Sequence, residues 1–325
     1  MRINIRHRAA CVFQVEKFTK DGVVYRGEPF SNLVLDVGLN NWAEGGLHQP
    51  YLENLTRRCN VGENATEPSP TQSGLISWLY STNNLYGSIT RGSVVDAPAH
   101  VWFSRTFEFE IGTVTGNLTE VGLSYASNAN YFNRQLFRDS EDNPTTITVL
   151  ENEGLRVITK VFVYVDLQVG ESEAGEFILN EGEEDEATIA YTRYPSIGEG
   201  SGLLSTSIST YNNHFLPRKT LHAMRLALIP EVEFSGTTYS SGPVEPTGAT
   251  TETYVANSFE VVRHFTWSPA SYNDDINMIL LAYAGGGAAR NVWYKFALGT
   301  PITKLDVHEF KITAVLMVDR YDAYS

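Results

Sequence analysis

One stretch of this chain is written twice, and that repetition constrains the fold more than any single motif. Residues 105–166 recur in altered form as residues 263–319. Arg105, Phe107, Tyr125, Ala126 and Asn133 reappear as Arg263, Phe265, Tyr283, Ala284 and Asn291, a constant shift of 263 − 105 = 158. Further on, Leu155, Val157 and Val163 line up with Phe310, Ile312 and Val318 at a shift of 310 − 155 = 155, which implies a short deletion in the second copy. Self-similarity at fixed spacing outranks local reading as an architectural signal. Alternating aromatics in any two strand-rich segments can also align by their shared period of two. The favoured reading is a pair of tandem domains of like topology, covering residues 1–169 and 170–325.

Composition sets the class of those domains. Aromatic residues make up 12% of the 325, and 26 glycines with 13 prolines supply turns for many short strands, so the expectation is an all-β chain with little helix. A net charge of −14 opposes the phosphate backbone of nucleic acid, and no nucleic-acid partner is expected. Cys11 and Cys59 are the only cysteines, too few for a disulfide framework. No apolar run approaches the ~18 residues of a membrane span, and the first ten residues do not lead into a signal-peptide core, so a soluble protein without a membrane partner is expected.

Taken in order, Ile3 and Ile5 alternate with Arg2, Asn4 and Arg6, the pattern of a strand with one apolar face. Residues 11–18 and 23–26 flank Lys20-Asp21-Gly22, a hairpin signal because Asp and Gly tolerate positive φ. Residues 30–37 read as a strand, 38–43 as a turn or short helix, and 71–80 as a small helix after the extended link that Pro68 and Pro70 impose. Strands are expected near 101–111, 118–125, 132–138, 145–150 and 155–167, and later at 187–194, 203–211 and 221–234. Such punctuation indicates β-sandwiches. Residues 171–186 carry eight acidic side chains and no basic one, and are read as a solvated linker between the domains. Residues 235–257, rich in Ser, Thr, Gly and Pro, are read as a long exposed loop or an arm that orders against a partner.

Several separated segments resemble, in order, a pattern common in structural proteins of tailed bacteriophages. They are Phe30-Ser-Asn-Leu-Val-Leu-Asp-Val-Gly-Leu39; Asn60-Val61-Gly62 followed by Pro68-Ser69-Pro70-Thr71-Gln72 and Leu75; Thr119-Glu120-Val121-Gly122-Leu123; Asn133-Arg134-Gln135-Leu136-Phe137; and Gly154-Leu155-Arg156-Val157. The resemblance covers roughly residues 25 to 167, and the second copy matches only its later part. It departs from the pattern at Asn64, where a second glycine is usual. The resemblance implies a virion subunit of the tail, baseplate, collar or fibre-attachment type. Such a subunit assembles in the host cytoplasm with other copies of itself, as a trimer or hexameric ring, and with neighbouring virion proteins.

Chemistry has few candidates. The seven histidines, His7, His48, His100, His214, His222, His264 and His308, show no metal-ligand spacing. Glu108 and Glu110 share one face of an expected strand, a geometry open to paired acid and base work, but an outward polar face is the plainer reading. Asp139, Glu141 and Asp142 crowd oxygen atoms before Asn143-Pro144, as a Ca²⁺ loop would, although an ordinary polar turn has the same composition. Asn54, Asn64 and Asn117 head glycosylation triplets expected to be idle. The expectation is therefore a non-enzymatic subunit with no catalytic, cofactor or metal residues. Its alternatives are a capsid decoration or head-fibre protein and a carbohydrate-cleaving or carbohydrate-binding tail protein.

Overall fold

A strand whose alternate residues are mostly apolar can be buried along one face, and β1 (Arg2–Thr19) is built that way from Ile3 to Val15. The computed structural model describes residues 1–44, 52–94, 98, 100–165, 173–179, 187–195, 224–229, 238–239, 244–271, 274–283, 290–305 and 307–321. In it β1 buries Ile3, Ile5, His7, Ala9, Cys11, Phe13 and Val15 and turns Arg2, Asn4 and Arg6 to solvent. A single nine-stranded sheet is arranged around β1. Its order is β19 (Gly248–Thr251), β20 (Glu260–Trp267), β23 (Phe310–Arg320), β1, β14 (Gly154–Val165), β8 (His100–Phe109) and β7 (Thr90–Val94). The short strands β2 (Gly22–Arg26) and β3 (Phe30–Ser31) also pair with β1.

The second sheet runs β4 (Leu33–Val34), β12 (Asn133–Leu136), β10 (Glu120–Ala126), β5 (Arg58–Gly62) and β6 (Trp78–Thr82), with β11 (Ala129–Tyr131) on β10. A small ladder joins β9 (Gly116–Leu118) to β13 (Ile147–Val149). The third sheet runs β15 (Glu173–Leu179), β16 (Ala187–Pro195), β22 (Arg290–Lys304), β21 (Asp274–Tyr283) and β17 (Met224–Ile229), with β18 (Thr238–Tyr239) on β22. Helix is confined to α1 (Asp36–Glu44), α2 (Leu52–Leu55) and one 3₁₀ turn among the described residues. At 61% strand and 7% helix the chain is all-β.

Strands from the two stretches read as copies both lie in the first sheet. Strands β8 and β14 pair antiparallel with Phe107 opposite Val157 and Arg105 opposite Thr159. Strands β20 and β23 pair antiparallel with Phe265 opposite Ile312 and Arg263 opposite Ala314. These are the pairs that the shifts of 158 and 155 relate, and Phe107, Val157, Phe265 and Ile312 are all buried. Between the paired strands the chain leaves for another sheet in each case, through β10 and β12 in the first copy and β21 and β22 in the second. Because β1 lies antiparallel to β14 and parallel to β23, the two strand pairs are related by an approximate twofold axis normal to the sheet through β1.

Strands from both sides of the expected 169/170 boundary share one sheet and one hydrophobic cluster, because β1 is long enough to serve both. The seam has further ties. Arg320 donates to the Val34 carbonyl and to Asp36. The side-chain Oδ1 of Asn40 on α1 accepts from the Tyr254 hydroxyl at 2.6 Å and the Asn257 N–H at 2.7 Å.

Other local expectations divide. The Asp21-Gly22 hairpin and the strands of the first copy form as read, with Gly22 at φ 128°, while the strand expected at 30–37 is two short pieces and α1 begins inside it at Asp36. Residues 71–80 are not helical. Their last residues enter β6, whose aromatic members suit an edge strand, and the N–H groups of Ile76 and Ser77 bond a side chain of the second sheet instead of a helical turn. Residues 235–257 are not all loop, since Thr250 and Thr251 lie in β19, where a polar strand pairs on one side and faces water on the other. The acidic stretch 171–186 likewise contributes β15 to the third sheet. The strand expected at 203–211 lies outside the described residues.

His7 yields a pH prediction. It is fully buried on β1 between Val165 and Val318, and burial lowers its pKa from 6.5 to about 3. The folded protein therefore keeps His7 neutral while the unfolded chain protonates it. Stability is full above pH 6.5 and falls by about 1.4 kcal/mol per pH unit below it, until the pH reaches the folded pKa. Urea melts at pH 7 and pH 5 should differ by about 2 kcal/mol from this group alone, and His7→Leu should lose that part of the pH dependence.

Candidate functional site

The second sheet holds the densest polar constellation among the described residues. Glu120 opens β10 and Arg134 lies on β12, one residue beyond the antiparallel pair Val121 and Gln135. Both side chains are fully buried, and Arg134 Nε donates to Glu120 Oε2 at 2.8 Å. Arg134 also donates to Gln72 Oε1 and to the Thr66 carbonyl, each at 2.9 Å. Glu120 in turn accepts the backbone N–H of Ser77 at 2.7 Å and of Ile76 at 3.1 Å. The irregular segment 63–77, extended by Pro68 and Pro70, is thereby clamped to the sheet without any secondary structure of its own.

Two glycines permit the close approach. A Cβ on Gly62 would lie 2.2 Å from the Ser77 carbonyl oxygen, and one on Gly74 would lie 2.2 Å from the Tyr131 ring. Beside the ion pair, Asn60 donates to Ser124 Oγ at 2.7 Å and Asn133 accepts the Leu123 N–H at 2.8 Å. Burial, reinforced by Glu120 and Cys59, raises the Tyr131 hydroxyl far above its ordinary pKa and keeps it protonated, donating to Asn128. A second buried cluster fixes α2, where Glu53 takes a two-bond fork from Arg91 at 2.7 and 3.1 Å and lies 3.8 Å from Arg105.

Chemically these groups position backbone. An ion pair with neither side chain exposed can meet no substrate, and its hydrogen bonds all go to the chain itself. The residues singled out in the sequence do not gather into one place. Glu108 is held by Arg156 at 2.7 Å, and that guanidinium stacks 4.2 Å from the Phe18 ring and 3.5 Å from the Tyr86 ring. Glu110 lies just past the end of β8, where its carbonyl accepts the Thr113 hydroxyl.

Asp139 Oδ1 accepts the N–H groups of Glu141 and Asn143, both at 2.9 Å, and these bonds hold its carboxyl below the usual range. Asp142 has φ 62°, so the loop closes on itself as a polar turn. No group of three or more His, Cys, Asp or Glu suited to a metal ion occurs among the described residues. His264 contacts Glu252 at 2.7 Å, while His48, His214 and His222 lie outside the described residues. Asn64 accepts the Thr66 N–H and Asn117 the Thr148 hydroxyl. Cys11 and Cys59 are free and buried, and burial pushes the Cys11 thiol up to about 12.

Sequence reasoning passed over Glu53, Gln72, Glu120 and Arg134 as individual residues. Arg105 carried a readable signal, because it occupies the inward phase of β8 between buried Phe103 and Phe107. Gln72, Glu120 and Arg134 all lie within the segments that carry the bacteriophage resemblance. No protein-family model matches the chain, and neither does any curated protein or solved structure.

Removing one partner of the Glu120–Arg134 pair strands a buried charge. Arg134→Met should cost about 3–5 kcal/mol in urea unfolding. The double change Glu120→Leu with Arg134→Met should remain destabilised, because the Ile76 and Ser77 N–H groups then lose their acceptor. A double variant as stable as the natural protein would show that the clamp fixes nothing.

Proposed function

We propose that the chain is a non-enzymatic structural subunit of a tailed-bacteriophage virion, placed in the tail, baseplate or collar. It works through contacts with other copies of itself and with neighbouring virion proteins. The observation that carries this reading is the convergence of the resemblance segments. Gln72, Glu120 and Arg134 come from three stretches of sequence and meet in one buried clamp whose products are a fixed loop and a rigid sheet. Rigid surface is what an assembling subunit supplies.

The internal duplication belongs to the same proposal. Two strand pairs of equal register give each chain two similar faces, so three chains can offer six quasi-equivalent positions in a ring. A carbohydrate-cleaving protein is the rival, and its carboxylates are Glu108 and Glu110. The Arg156 guanidinium on Glu108 Oε2 weighs against it, since that carboxylate is already engaged by the chain itself.

Antibody raised against the chain and carried on gold particles tests the proposal on purified virions by electron microscopy. Label at the tail, baseplate or neck is expected. Label confined to the capsid surface would make the chain a decoration or head-fibre protein. Unlabelled particles, together with new reducing ends from host polysaccharide that vanish in Glu108→Gln, would make it an enzyme.

A further inference from the structure

The hairpin of β1 and β2 leaves the body of the molecule with apolar residues on its outer strand. All five residues of β2 are exposed, including Val23 at 48%, Val24 at 56% and Tyr25 at 38%. Among the described residues β2 pairs with β1 alone, so its other edge is open. A bulge sets Val23 opposite Phe18 and Tyr25 opposite Lys17, which leaves Val24 with no register partner. An edge strand whose central residues are apolar is a template for another strand.

The charges around β2 indicate which strand. Arg26 is held by Glu16 at 2.5 Å and Lys17 by Glu153 at 3.0 Å, so both serve the chain itself. Lys20 at one end of β2 and Glu28 beyond the other are exposed and form no ion pair among the described residues. Two copies of this strand laid antiparallel about Val24 set Val23 against Tyr25 in both directions. The same register, in which 20 + 28 equals twice 24, brings the turn residue Lys20 of each copy beside Glu28 of the other. The segment is complementary to itself, as an isologous contact requires.

We propose that β2 is a self-association surface whose partner is β2 of a second copy of this chain, paired antiparallel about Val24. This deepens the structural-subunit reading and rests on it. The contact joins chains in pairs, and where copies also form rings it joins ring to ring. Apolar contact between the Val and Tyr side chains drives it, new backbone hydrogen bonds fix its direction, and the two Lys20–Glu28 contacts set its register.

The test uses the full chain in sedimentation equilibrium at up to about 100 μM, since a single short edge supports only modest affinity. The expected mass is twice 36.2 kDa. Val24→Lys places like charges on the axis and should weaken association by about tenfold or more. Lys20→Glu should weaken it too, and Lys20→Glu with Glu28→Lys should restore it. Val24→Cys with oxidised glutathione should give a covalent dimer through residue 24, because Cys11 and Cys59 are buried. All these positions are exposed, and unchanged thermal melts confirm that the variants fold.

A protein that stays at 36.2 kDa overturns the proposal. So does association that survives Val24→Lys while Val24→Cys fails to cross-link; that result would leave the subunit reading standing, with copies meeting through another face.

Discussion

The structure depends on burial of one face of β1. Seven alternate residues from Ile3 to Val15 lie under a common cover, and the strand donates and accepts backbone bonds on both edges. On one edge it takes β14 and, through it, β8 and β7. On the other it takes β23, β20 and β19, then β3 and β2 further along. A strand in this position cannot be withdrawn from one half without uncovering the other. Hydrophobic burial is roughly proportional to the apolar area removed from water, so both strand pairs draw stability from the same residues. The parallel ladder to β23 also closes a long loop, which is slow to form and sets the order in which the halves can complete.

Buried charge plays a different part. The Glu120–Arg134 pair and the Glu53–Arg91 fork contribute less net stability than their short distances suggest, because each ion must be taken out of water. What they supply is specificity. Segment 63–77 has neither strand nor helix to place it, and four hydrogen bonds from the pair to Thr66, Gln72, Ile76 and Ser77 give it one position.

Much of this was legible in the sequence, and the remainder was hidden for identifiable reasons. The Asp21-Gly22 hairpin and the strands of the first copy follow from local rules of turn chemistry and alternation. Once Phe107 is seen opposite Val157, the shifts between the two stretches carry that pair onto Phe265 and Ile312. Partner choice was not legible, because alternation shows that residues 2–6 form a strand with one apolar face but not that β23 lies beside them. The polar strand β19 escaped because edge pairing needs backbone, not apolar side chains. The clamp escaped because Glu120 and Arg134 are separated in sequence, and only the fold makes them neighbours. The resemblance to bacteriophage structural proteins marked those residues without explaining them.

The central claim is that β1 couples the two halves into one cooperative structure. Native-state hydrogen exchange under increasing denaturant tests it most directly, by following amides 157–163 in β14 and 312–318 in β23. The account predicts that the slowest amides of both strands merge onto one opening free energy, because neither pair survives loss of the shared strand. Amides of β23 that exchange through a separate, cheaper opening while β14 keeps its full protection would contradict it.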